Sequence, residues 1–214
     1  MYIDQKDKTP SSRAEKIFIL ILSGLFLFMM CMEMISDYEP RKLSMLLFIL
    51  FWVPLLFLHE FGHALMAKFC GWEVKRTVIG FGSVMHTTRL FGAPMEIRMV
   101  PLEGFVSIAP LNMSWVRVKH ALIYFAGPGI ELLVFFAIMA FLGTDQIFAH
   151  HDNYAQIALQ SLAFAALVGA IINLIPIGIQ TESGNSPNDG LGILLCLTSS
   201  KLDYELWIQE NQKS

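Results

Sequence analysis

Long apolar runs constrain this chain more than any other feature of it. Four are present: Ile17 to Met32, Leu43 to Phe69 with polar residues inserted near its end, Ala121 to Gly143, and Ala155 to Gly178. A helix crossing hydrocarbon needs about 20 mostly apolar residues. A chain of 214 residues has no soluble core large enough to hide four such segments. Its 55% hydrophobic and 15% charged composition agrees, and so does a mean hydropathy of +0.55. The expected fold is therefore an all-α membrane protein of four transmembrane helices. A small membrane-associated β element is expected between the second and third spans, because Thr77, Val78 and Ile79 favour strands and Met95, Ile97 and Met99 alternate with Glu96 and Arg98. Two or three short strands joined at Gly92-Ala93-Pro94 fit the stretch Trp72 to Ala109.

The polar head carrying Lys6, Lys8, Arg13 and Lys16 also resembles the start of a secretory signal, but no small-x-small site follows the first run. Lys and Arg concentrate in that head and in the segment 68–119, whereas the loop 144–154 has none. The positive-inside rule then puts both termini and the central segment in the cytoplasm. The expected organisation is a cytoplasmic head at 1–16, a first span at 17–36, a core at 43–190 and a cytoplasmic tail at 191–214. In the tail, Leu191 to Leu197 with Leu202, Leu206, Trp207 and Ile208 suggest a surface-lying amphipathic helix. The stretch Gln180 to Asp189 reads as a loop. A net charge of −3 supplies no phosphate-neutralising face, so nucleic acid is not an expected partner. Cys31, Cys70 and Cys196 are too few and too scattered for a disulfide framework or a cysteine metal cluster.

The chemistry is concentrated in His59-Glu60-Phe61-Gly62-His63. Residues four apart share a helix face, so two imidazoles can present nitrogens to one metal ion. Glu60 lies on the same side, placed to take a proton from a metal-bound water without being a ligand. Two histidines and a glutamate at membrane depth are costly unless something satisfies them. A catalytic zinc usually takes three protein ligands, and the third is open between Asp189 and Glu182, both beyond the fourth run. Asn188-Asp189-Gly190 is also a good turn signal. Pro54 interrupts the zinc helix, Gly127-Pro128-Gly129 suits close helix packing, and Glu131 could join the site, bond a neighbouring helix or be protonated.

HEFGH at 59 to 63 is followed by Ile79-Gly80-Phe81-Gly82, Pro101 to Val106, Ala126-Gly127-Pro128, Asn173-Leu174-Ile175-Pro176 and Asp189-Gly190. In this order the chain resembles the site-2 protease family of intramembrane zinc metalloproteases, from the second span to Gly190. The resemblance implies one zinc per chain held by His59, His63 and Asp189. It implies Glu60 as general base and Asn173 as a catalytic residue that holds the substrate or polarises its carbonyl. The chain departs from the family in having Glu103-Gly104 where Gly-Gly is common, Glu131 where Asn is frequent, and a longer spacing from Pro176 to Asp189. The implied activity is that of a zinc metalloendopeptidase cutting membrane-protein substrates in or near their transmembrane segments, within the lipid bilayer. The alternatives are a catalytically silent relative that binds membrane proteins, and a zinc transporter.

Overall fold

Three of the predicted spans are helices long and apolar enough to cross a membrane. In the computed structural model, which describes residues 13–181 and 184–213, these are α2 (Leu43–Phe69), α3 (Val116–Leu142) and α4 (Tyr154–Leu174). Helix α1 (Arg13–Ser36) covers the first apolar run, and its described apolar stretch, Gly24–Glu33, is shorter than a span. Most of the 1–16 head lies outside the described residues, and so does Glu182, one of the two carboxylates considered as third ligand.

Local chemistry sets the helix ends. Asn153 caps α4, its side-chain oxygen accepting from the amides of Ala155 and Gln156. The same helix stops at Leu174, short of the expected Gly178, because Ile175 precedes Pro176 and is forced into extended backbone. Gly143, at φ 96°, terminates α3 in a conformation that a Cβ would strain.

Small residues set the packing of α2, α3 and α4. A Cβ on Gly62 would come within 2.6 Å of the Ala126 carbonyl oxygen, so α2 and α3 meet backbone to backbone. Ala163, Ala165, Ala166 and Ala170 are buried along α4. Close approach of this kind replaces the hydrophobic drive that apolar lipid cannot supply between helices.

The central segment forms two long bent strands, β1 (Glu73–Leu90) and β2 (Ala93–Ala109), in place of the expected short ones. They pair antiparallel around a turn in which Phe91 and Gly92 both have positive φ. The register doubles near the bends. Thr77, Val78 and Ile79 lie beside Val106, Phe105 and Gly104 on one side and beside Met95, Glu96 and Ile97 on the other. Gly80, at φ 88°, bends β1 where the Val100 carbonyl leaves no room for a Cβ. Arg76 and Arg98 hold Glu96 at 3.0 and 2.9 Å, and the Arg76 hydrogen bond leads in lowering the Glu96 carboxyl below its ordinary range.

The expected loop before Asp189 contains a short hairpin, β3 (Gly178–Thr181) paired with β4 (Gly184–Pro187). The tail is two helices, α5 (Asp189–Thr198) and α6 (Lys201–Lys213), where one surface helix was expected. Helix α6 does not simply lie on a surface. Its Tyr204 is buried and hydrogen-bonded to His120 Nδ1 at 3.0 Å, and Trp207 packs edge-on against Trp72. Burial raises the Tyr204 hydroxyl above its ordinary range and pushes the Cys196 thiol up to about 12, leaving that thiol inert.

Candidate metal centre

Helical periodicity brings His59 and His63 onto one buried face of α2. Their Nε2 atoms are 3.0 Å apart. Asp189 reaches them from the first turn of α5, with Oδ2 3.0 Å from His59 Nε2 and Oδ1 3.3 Å from His63 Nε2. Three donors at zinc bond lengths of about 2.0–2.1 Å in tetrahedral array stand about 3.3 Å from one another. The three side chains thus have the mutual spacing of ligands around one small ion, and they are the one such group of three among the described residues.

Two further observations test the fit. His63 Nδ1–H donates to the Ile123 carbonyl at 2.6 Å, which leaves the Nε2 lone pair pointing toward His59 and Asp189. Two imidazole nitrogens facing each other at this distance need a cation or a proton between them. Secondly, α3 passes this point with Gly127. A Cβ there would lie 2.6 Å from His59 Nε2 and closer still to His63 Nε2. The glycine keeps open a cradle that any side chain would fill, so the donor set suits a zinc ion.

Glu60 is buried beside the two histidines. It lines a cavity of about 320 Å³ between α2 and the β element, walled otherwise by Thr77 and by apolar groups including Phe57, Phe61, Ile79 and Met95. Strand β2 comes so near that a Cβ on Gly104 would lie 2.7 Å from Glu60 Oε1. The Gly expected from the family pattern at this position therefore has a steric reason. The neighbouring Glu103, which departs from that pattern, is exposed.

Asp189 is held by its neighbour. Asn188 caps α5, its side-chain oxygen accepting from the Leu191 amide at 3.1 Å and the Ile177 amide at 3.0 Å. Its side-chain amide donates to the Ile175 carbonyl at 2.6 Å. Asn188 thus ties the end of α4 to the start of α5, and Gly190 lets the two meet, since a Cβ there would collide with the Leu174 backbone. In the sequence this residue stands out only as part of a turn signal; its N-cap character before an apolar run was readable. Asn173 is half-buried in the last turn of α4, directly before the residue that Gly190 touches. Glu131 of α3 is also drawn to the centre, with Oε2 3.3 Å from His59 Nδ1. Three other histidines stand apart. His120 lies among Trp72, Tyr124 and Trp207, His150 contacts Arg41 at 3.3 Å, and His151 contacts the Gln146 carbonyl at 2.7 Å.

The model of peptidase family M50 matches residues 47–156, about half of the chain. The zinc metalloprotease Rip1 of Mycobacterium tuberculosis is 32% identical over 94 residues, covering 36% of this chain and 22% of its own length. The zinc metalloprotease RasP of Geobacillus kaustophilus is 34% identical over 77 residues, covering 36% and 18%. The regulator of sigma-W protease RasP of Bacillus subtilis is 32% identical over 76 residues, with the same coverage. The chain spans about a fifth of the length of these curated relatives.

Proposed function

The chain belongs to peptidase family M50, and from that premise we propose that it is a zinc-dependent endopeptidase hydrolysing peptide bonds in or near transmembrane segments of membrane proteins. The observation that carries this reading is the convergence of His59, His63 and Asp189 beside the buried Glu60, on helices apolar enough to lie in a bilayer. His59, His63 and Asp189 hold the ion. When bound, zinc supplies a Lewis acid for the scissile carbonyl and a water of lowered pKa. Glu60 accepts one proton from the attacking water as its oxygen bonds to the carbonyl carbon. As the C–N bond breaks, Glu60 passes that proton to the leaving amine. The Asn173 amide donates to the carbonyl oxygen on which charge develops.

A substrate helix must unwind before water can reach its backbone, and the exposed amides and carbonyls then need partners within the bilayer. Residues Gly104 to Ile108 of β2 pair with β1 on one side, and Gly104 adjoins Glu60. The other edge of this segment takes the unwound substrate as an added strand. Helix α1 is the fourth span, with both termini cytoplasmic. Contacts of Tyr38 with Tyr154 and of Arg41 with His150 support a common side for the 37–42 and 144–154 loops, opposite the termini.

Metal content and cleavage of a solubilised membrane substrate, measured together, test the reading. Glu60→Gln is expected to retain zinc and lose cleavage, while His59→Ala, His63→Ala and Asp189→Ala each lose zinc. Cleavage at the normal rate by purified Glu60→Gln overturns the mechanism.

A further inference from the structure

Glu131 is an expensive residue in its setting. It sits in the apolar helix α3 at 4% exposure, where a carboxylate without partners is strongly disfavoured. Its surroundings select one partner. Oε2 of Glu131 and Nδ1 of His59 lie 3.3 Å apart, and both are buried atoms without a formed hydrogen bond among the described residues, so each is the nearest group able to satisfy the other. On the opposite side α4 presents Gly169, where a Cβ would lie 2.9 Å from Glu131 Oε1. The carboxylate is thus lodged between the glycine of one helix and the imidazole of another.

His59 uses its other nitrogen, Nε2, toward His63 and Asp189. An imidazole that ligates through Nε2 carries its proton on Nδ1, and that N–H needs an acceptor to fix both tautomer and ring orientation. His63 has the Ile123 carbonyl for this purpose. Among the described residues no backbone carbonyl does the same for His59.

We propose that Glu131 is the positioning residue of the metal centre: its carboxylate accepts the His59 Nδ1–H, locks that ring for coordination through Nε2, and is itself seated by Gly169. The inference rests on the metal-centre reading above. It accounts for both an intramembrane glutamate and a glycine on α4 that the hydrolytic steps do not use. It also gives the two histidines unlike supports. A carbonyl of the helix backbone holds His63, and a side chain that can be replaced holds His59.

The test is zinc affinity of the full-length protein in detergent, measured by competition with a chromophoric chelator, beside the thermal midpoint of the zinc-free form. Removing an outer-shell partner of a metal ligand typically lowers affinity about 10–100-fold. Glu131→Ala is expected to show that loss. Glu131→Gln, whose side-chain oxygen still accepts from Nδ1–H, is expected to recover most of it. Gly169→Ala should weaken zinc binding while leaving every titratable group in place. A residue that merely fills space would lower the zinc-free midpoint in Glu131→Ala and leave affinity per folded molecule alone. Unchanged zinc affinity in Glu131→Ala, or a Glu131→Gln variant as weak as Glu131→Ala, overturns the proposal. Wild-type protein that binds no zinc overturns the metal-centre reading itself, so the two failures are distinguishable.

Discussion

Gly127→Ala is the sharpest perturbation of the centre, because it adds one methyl group and changes no donor. The added Cβ would stand 2.6 Å from His59 Nε2, whereas ordinary non-bonded contacts begin at about 3.5 Å. A helix cannot simply back away here. The same face of α3 is pressed onto α2 where Gly62 meets Ala126, and Pro128 beside it is fully buried. Overpacking of this kind costs about 1–3 kcal/mol, which corresponds to about 5–150-fold in a binding equilibrium. The cost falls mainly on the zinc-bound form. Without the ion nothing has to be held between the imidazoles, and they can turn aside. Replacing a helical glycine by alanine also stabilises the helix by about 0.5–1 kcal/mol, so the zinc-free protein is expected to lose little. Chelator competition should therefore show weakened zinc binding, and differential scanning fluorimetry should show a smaller zinc-induced rise in midpoint over a nearly unchanged zinc-free baseline. Gly24→Ala, at a glycine with nothing within 4 Å, serves as control. Zinc affinity within twofold of wild type in Gly127→Ala would refute the cradle argument.

Three other outcomes are expected. Asn188→Ala removes a helix cap and the tie to Ile175; a cap alone is worth about 1 kcal/mol, and zinc affinity should fall with stability because Asp189 is the next residue, whereas normal affinity would dissociate the cap from the ligand. The Glu96 carboxyl is lowered by Arg76 and Arg98, so the ion pairs stabilise the hairpin above the ordinary carboxylate pKa of about 4.3 and that contribution disappears as pH falls through the lower folded value; the midpoint difference between wild type and Glu96→Gln should be constant near neutrality and shrink in acid, and a difference independent of pH would contradict the assignment. Asp152→Cys, in the loop that lacks Lys and Arg, should react with a membrane-impermeant thiol reagent from the side opposite the termini, and labelling from the side of the termini would reverse the topology.

Much of the architecture was legible because its determinants are local. Apolar runs of bilayer length identify α2, α3 and α4 without reference to one another, and β-branched and alternating residues mark the strand segment. Bends were harder to read. The doubled register of Thr77 to Ile79 depends on Gly80 and on the partner strand, so strand length was underestimated. Hairpin β3–β4 lies in a stretch of turn-forming residues with no alternating pattern to announce it. Trp207, with Leu202, Leu206 and Ile208, reads as one face of a surface helix and Tyr204 does not stand out at all, since the aromatic and histidine side chains that bury Tyr204 and Trp207 come from elements far along the chain.

The metal centre divides in the same way. By itself the sequence determined that His59 and His63 share a face and that Glu60 stands beside them, because helical periodicity is a property of neighbouring residues. It also carried the order of motifs that resembles the family. Only tertiary packing decided which acceptor serves His59 and what leaves room between the two rings. Asp189 comes near the histidines because Asn188 and Gly190 weld α5 to the end of α4. Glu131 meets His59 because α3 crosses α2 at glycine-width separation. These are contacts between segments distant in sequence, and their geometry is set by how closely backbones can approach, a quantity that no single segment contains.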